Sequence, residues 1–378
     1  MSRRDGVLFL LLYSTCELAI RPSRIAARGV AVGGSHNSSG KGMRHLPDDT
    51  MLAVRFRGPA PDREVVVESC PVPAPGDGEI LVRVHAAGLN RADLIQRKGA
   101  YPPPGGAPDD APGLEYAGEV AAVGNGVTLW QTGDRVCGLT TSAAQAQYLT
   151  THELLAAPAP VNLGWTDVAA IPEVFITAAD ALWEQAELKP SDRVLIHAVG
   201  SGVGLAAIQL VRAMGAIPYG ATRTTAKLEI ARDLGLEDGI ATSDPESCAR
   251  WMRAVTHGHG VDALLDLVGG PWTAAGMGAL APRGRLILVG LVAGVTAELS
   301  LRTVLSRRLT IRGTVLRARP LEEKIMATQL LERRLLPLFA SGNLAPNVFR
   351  VLPLTEAAAA YELLGSNETA GKVVLDMG

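Results

Sequence analysis

The chain of 378 residues is 47% hydrophobic and 20% charged, with 41 Gly and 24 Pro. That size and composition suit about two globular domains and exclude a disordered chain, a coiled coil and a collagen-like repeat. The 36 basic and 38 acidic residues leave a formal net charge of −2, so no whole-chain basic field exists to draw in nucleic acid or an acidic lipid surface.

Taken in chain order, residues 1–50 differ from the rest. Arg3 and Arg4 precede a short apolar run from Val7 to Tyr13, and a polar, Gly/Ser-rich stretch follows. The run is far short of the ~20 residues needed to span a bilayer, so the expectation is a disordered leader, or a start placed upstream of the true one at Met51. From there, short β-rich runs at 51–56, 79–85, 116–123 and 135–139, punctuated by turns such as Pro75-Gly-Asp-Gly78 and Gly124-Asn-Gly126, predict a compact barrel-like domain. A helix is predicted over 177–187, then strand 193–197, glycine loop 200–204, helix 205–214, strand 216–221 and helix 225–234. Further apolar strands are predicted at 261–268 and 285–289, a helix at 321–340 and a closing strand at 372–375. Strands alternating with helices imply crossover units on a parallel sheet. The final strand is expected to return to the first domain, giving a β-rich domain of 51–172 and 312–378 with a nucleotide-type domain, 173–311, inserted in it. The four cysteines, Cys16, Cys70, Cys137 and Cys248, are far apart with no C-x-x-C pair. This argues against a disulfide framework or a cysteine-built zinc site and for a soluble, cytoplasmic protein.

The glycine loop is the first chemical signal. Gly202-x-Gly204-x-x-Ala207 fits the dinucleotide fingerprint at the end of a strand and the start of a helix, where unpaired backbone N–H groups and the helix dipole favour a pyrophosphate. Ser201, Gly202, Val203 and Gly204 are the residues expected to cradle it; a tight turn without a ligand is the structural alternative. An NAD-type unit places Asp or Glu about 20 residues on, to bind the ribose 2′-OH. Here the stretch reads Gly220-Ala-Thr-Arg-Thr-Thr-Ala-Lys227, with no acid before Glu229. Arg223 and Lys227, with the hydroxyl of Thr222, suit a 2′-phosphate that a carboxylate would repel. NADPH is therefore expected over NADH, the alternative being a solvated cationic surface.

Four stretches together resemble the zinc-free, zeta-crystallin-like quinone oxidoreductases of the medium-chain dehydrogenase/reductase superfamily. They are Ala87-Gly-Leu-Asn-Arg-Ala-Asp93 with Arg97-x-Gly99-x-Tyr101, Pro112-Gly-Leu-Glu-Tyr-Ala-Gly118, the loop from His197 to Gly204, and Gly371-Lys-Val-Val-Leu375. The resemblance implies a GroES-like catalytic domain with an inserted Rossmann-type NADPH domain, a cleft between them, reduction of quinones or activated α,β-unsaturated carbonyls, and a homodimer. Asn90 and Leu114 stand where zinc-dependent relatives carry Cys and His, and neither residue suits a catalytic zinc. Without a metal the cleft must orient an electrophile and stabilise the developing oxyanion. Asn90, through its amide, is expected to hold the nicotinamide ribose or the substrate oxygen, and Tyr101 to donate its phenol proton or stack on the substrate. Alignment adds Thr177, Gly290 and Leu291 on the nicotinamide side, with Asp93 as a loop anchor. Thr242 falls where some relatives place an aromatic residue or His beside the 2′-phosphate, and His257 and His259 read as an exposed turn. The expected function is NADPH-dependent quinone reduction. The alternatives are reduction of α,β-unsaturated carbonyls or 2-enoyl thioesters, with Arg97 and Lys98 as a cationic rim, or NADPH binding with little turnover.

Overall fold

A computed structural model describes residues 50–378; the expected leader, Thr50 apart, lies outside the described residues. The strands are β1 (Thr50–Arg57), β2 (Glu64–Pro71), β3 (Glu79–Leu89), β4 (Glu115–Val123), β5 (Arg135–Leu139), β6 (Tyr148–His152) and β7 (Ala156–Pro158), then β8 (Arg193–His197), β9 (Ile217–Thr222), β10 (Asp238–Ala241), β11 (Val261–Asp266), β12 (Leu280–Leu288) and β13 (Thr310–Gly313), and finally β14 (Val348–Pro353) and β15 (Lys372–Asp376). β1 and β2 form an antiparallel pair. A seven-stranded mixed sheet runs β14-β15-β3-β4-β5-β7, with β6 pairing β3 off that path. Its core gathers Ile80, Val82, Val84, Tyr116, Val136, Val373 and Leu375, closed by Tyr361 and Leu364 of the helix Ala357–Ser366.

The second sheet is six-stranded, in the order β10-β9-β8-β11-β12-β13, and every pair in it is parallel. Its strands are covered on both faces, so they carry apolar residues at successive positions rather than in alternation with polar ones. In β8, Val194 and Ile196 join the core on one face while Leu195 joins the core on the other. The molecule is thus a GroES-like β-rich lobe with a Rossmann-type parallel sheet inserted in the chain between β7 and β14.

The return of β15 positions the site. It pairs antiparallel with β3 in the register Val373↔Leu89 and Val374↔Gly88, which sets Lys372 beside the start of the helix Arg91–Arg97. A parallel bridge from Ser201 to Gly371 then lays the glycine loop of the Rossmann sheet against the same strand. Gln209 fastens the next helix by accepting from the Ala345 N–H at 2.8 Å and donating to its carbonyl at 3.0 Å.

Four predicted elements shift, among them the strand expected at 285–289, which starts at Leu280. The helix expected over 177–187 starts at Pro172 and runs to Ala179, continuing as a wide turn through Asp180–Gln185. Proline at the first helical position has its φ preset and no N–H to leave unpaired, so it starts the helix five residues earlier than the alanine-rich pattern suggests. The helix expected over 321–340 is broken by a wide turn at Leu331–Leu335 and resumes with Pro337 in its first turn. The helix after the glycine loop begins at Gly202, inside the loop itself. Among the described residues no helix is long and apolar enough to cross a membrane.

Candidate active site

Ser201 caps the helix Gly202–Ala213, its Oγ accepting the Gly204 N–H at 3.1 Å. The Gly202 and Val203 N–H groups have no partner within the helical ladder, at the positive end of its dipole. Space requires the second glycine here and favours the first. A Cβ on Gly204 would lie 2.5 Å from the Val199 carbonyl, and one on Gly202 would press on Val174 and the Lys372 stem at 3.0 and 3.2 Å. The loop is therefore a close-packed turn at a helix N-terminus, a setting that suits an anion.

Beneath it lies a buried charge cluster. Lys372 donates to the Leu89 carbonyl and to Asn90 Oδ1, both at 2.7 Å, and pairs with Glu115. The Lys372 and Glu115 side chains are 3% and 0% exposed. All three ammonium protons are thus engaged. Glu115 also accepts from Asn90 Nδ2 at 2.8 Å and, through its other oxygen, from the Glu173 N–H at 2.8 Å. Its carboxylate therefore complements the N-terminus of the helix Pro172–Ala179. Gly88 makes this approach possible, since a Cβ there would fall 2.3 Å from Glu115 Oε1. Asn90 thus has its carbonyl oxygen and one amide proton committed, leaving one N–H for a ligand. Asp93, expected to anchor the loop, accepts from the Asn90 N–H at 2.7 Å, the Gly113 N–H at 3.2 Å and Gln145 at 3.3 Å. Burial pushes its carboxyl up to about 6 against the pull of those bonds and of the Lys372 charge.

Arg317 places Tyr101. The guanidinium donates to the Tyr101 and Thr141 carbonyls at 2.9 and 2.8 Å and to Gln96 Oε1 at 2.7 Å, and its carbon lies 5.1 Å from the Tyr101 ring centroid. Burial and the nearby Glu173 charge raise the Tyr101 phenol above its usual range, so it stays a neutral donor at ordinary pH. Glu173, on the first turn of its helix, makes no side-chain hydrogen bond or ion pair among the described residues. Burial first and the Glu115 charge second push its carboxyl up to about 8, with Lys372 opposing. Thr177, one turn further along, is buried.

At the other end of the loop three cations converge. Lys227 lays its stem over Gly200, where a Cβ would meet it at 2.8 Å, and donates to the Asn367 carbonyl at 2.5 Å. Arg91, from the β-rich lobe, donates to Asn367 Oδ1 at 2.8 Å. Burial and the charges of Arg223 and Arg91 depress the Lys227 ammonium, and burial with the Arg223 charge likewise lowers Arg91. Arg223 itself is exposed and unpaired among the described residues. Thr222 ends β9 beside it and accepts the Thr242 N–H at 2.7 Å; the Thr242 hydroxyl is spent on the Asp244 N–H at 3.0 Å. These three cations, which make no ion pair among the described residues and stand beside a helix N-terminus, suit the pyrophosphate and 2′-phosphate of NADPH.

Gly290 and Leu291 follow β12 at the same carboxyl edge of the sheet. Gly290 donates to the Asp266 carbonyl at 3.2 Å, and Leu291 is exposed. Arg97 donates to the Arg63 carbonyl at 2.5 Å, so of the pair expected to form a cationic rim only Lys98 is free of such a commitment. His257 and His259 lie in an exposed turn. Leu114 is buried, and among the described residues no group of three or more His, Cys, Asp or Glu side chains could hold a metal ion. Sequence reasoning assigned no role to Glu115, Glu173, Lys372, Arg91 or Arg317. The readable signal was a Glu and a Lys each heading a largely apolar strand, since such residues are almost never buried without a partner.

These features define a two-lobed α/β protein whose glycine loop lies against a buried charge cluster. Residues 76–185 match the alcohol dehydrogenase GroES-like domain family and residues 202–333 the zinc-binding dehydrogenase family. A 2-haloacrylate reductase from Burkholderia sp is 32% identical over 86% of this chain and 98% of its own length. The chain belongs to the medium-chain dehydrogenase/reductase superfamily. The solved structure of mycobacterial Rv1454c complexed with NADPH superposes with a TM-score of 0.77 at 27% identity, covering 86% of this chain and 100% of the other. That of the CurK enoyl reductase gives 0.75 at 26%, covering 88% and 100%. The chain also matches mycobacterial polyketide synthases, of which it spans 14–17% of the length.

Proposed function

We propose that the protein is an NADPH-dependent reductase that delivers hydride to a quinone without a metal. The observation that carries this reading is the pairing of two arrangements on one cleft. One is the glycine cradle with Arg91, Arg223 and Lys227; the other is a site where Asn90 and Leu114 stand in place of metal-binding side chains, beside a neutral Tyr101. NADPH, when bound, supplies the hydride. Ser201, Gly202, Val203 and Gly204 would hold its pyrophosphate, with Thr222, Arg223 and Lys227 on the 2′-phosphate. Thr177, Gly290 and Leu291 would border the nicotinamide, and the free Asn90 N–H would hold its ribose or the substrate oxygen. Tyr101, fixed by Arg317, orients the acceptor and hydrogen-bonds the developing oxyanion.

A second reading, reduction of an α,β-unsaturated carbonyl or 2-enoyl thioester, draws support from the relatives named as 2-haloacrylate and enoyl reductases. We further infer a cytoplasmic homodimer formed through the free edge of the Rossmann sheet. The test is the initial rate of NADPH oxidation with an ortho-quinone, 2-haloacrylate and an enoyl-CoA, with NADH as control and with chelator present. Turnover of the quinone above the others, insensitive to chelator, supports the leading reading. Turnover confined to the enoyl substrates transfers the function to the second. Tight NADPH binding with no turnover overturns both and leaves a cofactor-binding protein.

A further inference from the structure

Hydride delivery leaves an anion on the acceptor, and a proton must follow it. Tyr101 is an obvious donor to the acceptor, but its phenol must then regain a proton, and Arg317 beside it, with three N–H groups on Gln96, Thr141 and Tyr101, keeps its charge and gives up none. The cleft contains a second protic group with the right surroundings. The Glu173 side chain projects from the first turn of Pro172–Ala179, partly exposed, in electrostatic reach of Tyr101.

Its neighbours decide its state. Glu115 on β4 occupies the N-terminus of Glu173's own helix, accepting the Glu173 N–H, so the helix dipole is already complemented. Lys372 on β15 is committed to Glu115, Asn90 and the Leu89 carbonyl. Asp93, on the helix Arg91–Arg97, adds a second acidic group, and Arg317 contributes the one opposing charge besides Lys372. Two carboxyl groups therefore share one fully engaged ammonium. Two such groups do not both ionise readily in a partly desolvated site; Glu115 holds the hydrogen bonds and the ion pair, and Glu173 has neither among the described residues.

We propose that Glu173 is the proton store of the cleft, holding a neutral carboxyl beside Tyr101 and releasing its proton to the reduced acceptor. This rests on the hydride-transfer reading above. The balance is simple. The acceptor gains a hydride, becoming a hydroquinone monoanion or an enolate. Its oxygen, or the carbon α to it, forms a bond to the proton as the Glu173 O–H bond breaks. The resulting Glu173 carboxylate regains a proton from solvent through the open side of the cleft. No oxidant beyond the acceptor itself is required.

The test compares wild type with Glu173→Gln and Glu173→Asp. First, without NADPH, infrared difference spectra are recorded across a titration from about pH 6 to about pH 10, the window that brackets a donor poised near neutrality. A protonated-carboxyl band that disappears with a midpoint near 8 in wild type, and is absent in Glu173→Gln, is expected. Second, kcat at saturating NADPH is measured over the same range. The acid form is the donor, so wild-type kcat should fall as pH rises past that midpoint. Glu173→Gln should lose that limb and fall roughly 10²–10⁴-fold at neutral pH, the usual contribution of a positioned acid, with NADPH affinity unchanged; Glu173→Asp should restore the limb in part. A carboxyl already ionised at the acid end overturns the proposal, as does a Glu173→Gln enzyme with an unchanged alkaline limb. Should wild type turn over no acceptor, the hydride-transfer reading fails. The cofactor-free titration still decides whether Glu173 stores a proton, in wild type alone if the glutamine variant does not fold.

Discussion

Arg223 is exposed and makes no ion pair among the described residues, while Arg91 and Lys227 converge on it from two elements. Such a cluster repels itself until an anion arrives. Removing Arg223 deletes one charge-assisted contact, worth about 1.5–3 kcal/mol, so Arg223→Ala is expected to raise the KM for NADPH roughly 10- to 100-fold and barely move that for NADH. Equal losses with both cofactors would show that Arg223 does not face the 2′-phosphate. This part of the site was legible because a missing acid and a present cation in a fixed frame carry chemical meaning. Asn90 was legible as a position but not as a contact. Its partners, Glu115 and Lys372, lie 25 and 282 residues away, and only the folded sheet brings them together. Glu173 was hidden for a related reason: its carboxyl is defined by what its neighbours leave unsatisfied.

Among the elements, β15 carries the most. It closes the sheet on β3, runs beside the glycine loop and delivers Lys372 to Glu115. Breaking a buried pair by removing one partner strands the other charge, at a cost of about 3–5 kcal/mol. Lys372→Met is expected to lose that much in urea unfolding, and Glu115→Gln combined with it to recover most of the loss. Additive losses would mean that the two groups are not coupled. Strands with runs of Val, Ile and Leu, such as β3, β8 and β11, were readable from composition. The short strands β7, β10 and β13, of three or four residues, carry too few positions to show a period; tertiary pairing makes them strands. The helix at Pro172 was displaced because alanine spacing outweighed a proline start signal, and that displacement also took Glu173 off the predicted helix.

For the whole molecule, the Rossmann sheet ends in β13, whose outer edge has no partner strand among the described residues. Beside it Leu301 and Leu305 are 78% and 80% exposed, with Val292, Val295 and Ile311 also exposed. An unpaired edge flanked by apolar side chains is a template for pairing with another chain. Sedimentation velocity is expected to show a dimer, and Leu301→Asp with Leu305→Asp to shift it toward monomer with the fold intact. A monomer at every accessible concentration would contradict the homodimer. The two-lobed architecture was legible from the order of glycine loop, alternating strands and closing strand, whereas the packing of Lys227 across the lobes onto the Asn367 carbonyl was not, because it depends on how the lobes meet.

The measurement that bears most directly on the central claim is kcat/KM for an ortho-quinone with chelator-treated protein, determined with NADPH and with NADH. Metal-independent turnover with a clear preference for NADPH is the expected result. NADPH that binds but is never oxidised by the quinone, or turnover abolished by the chelator and restored by zinc, would contradict it.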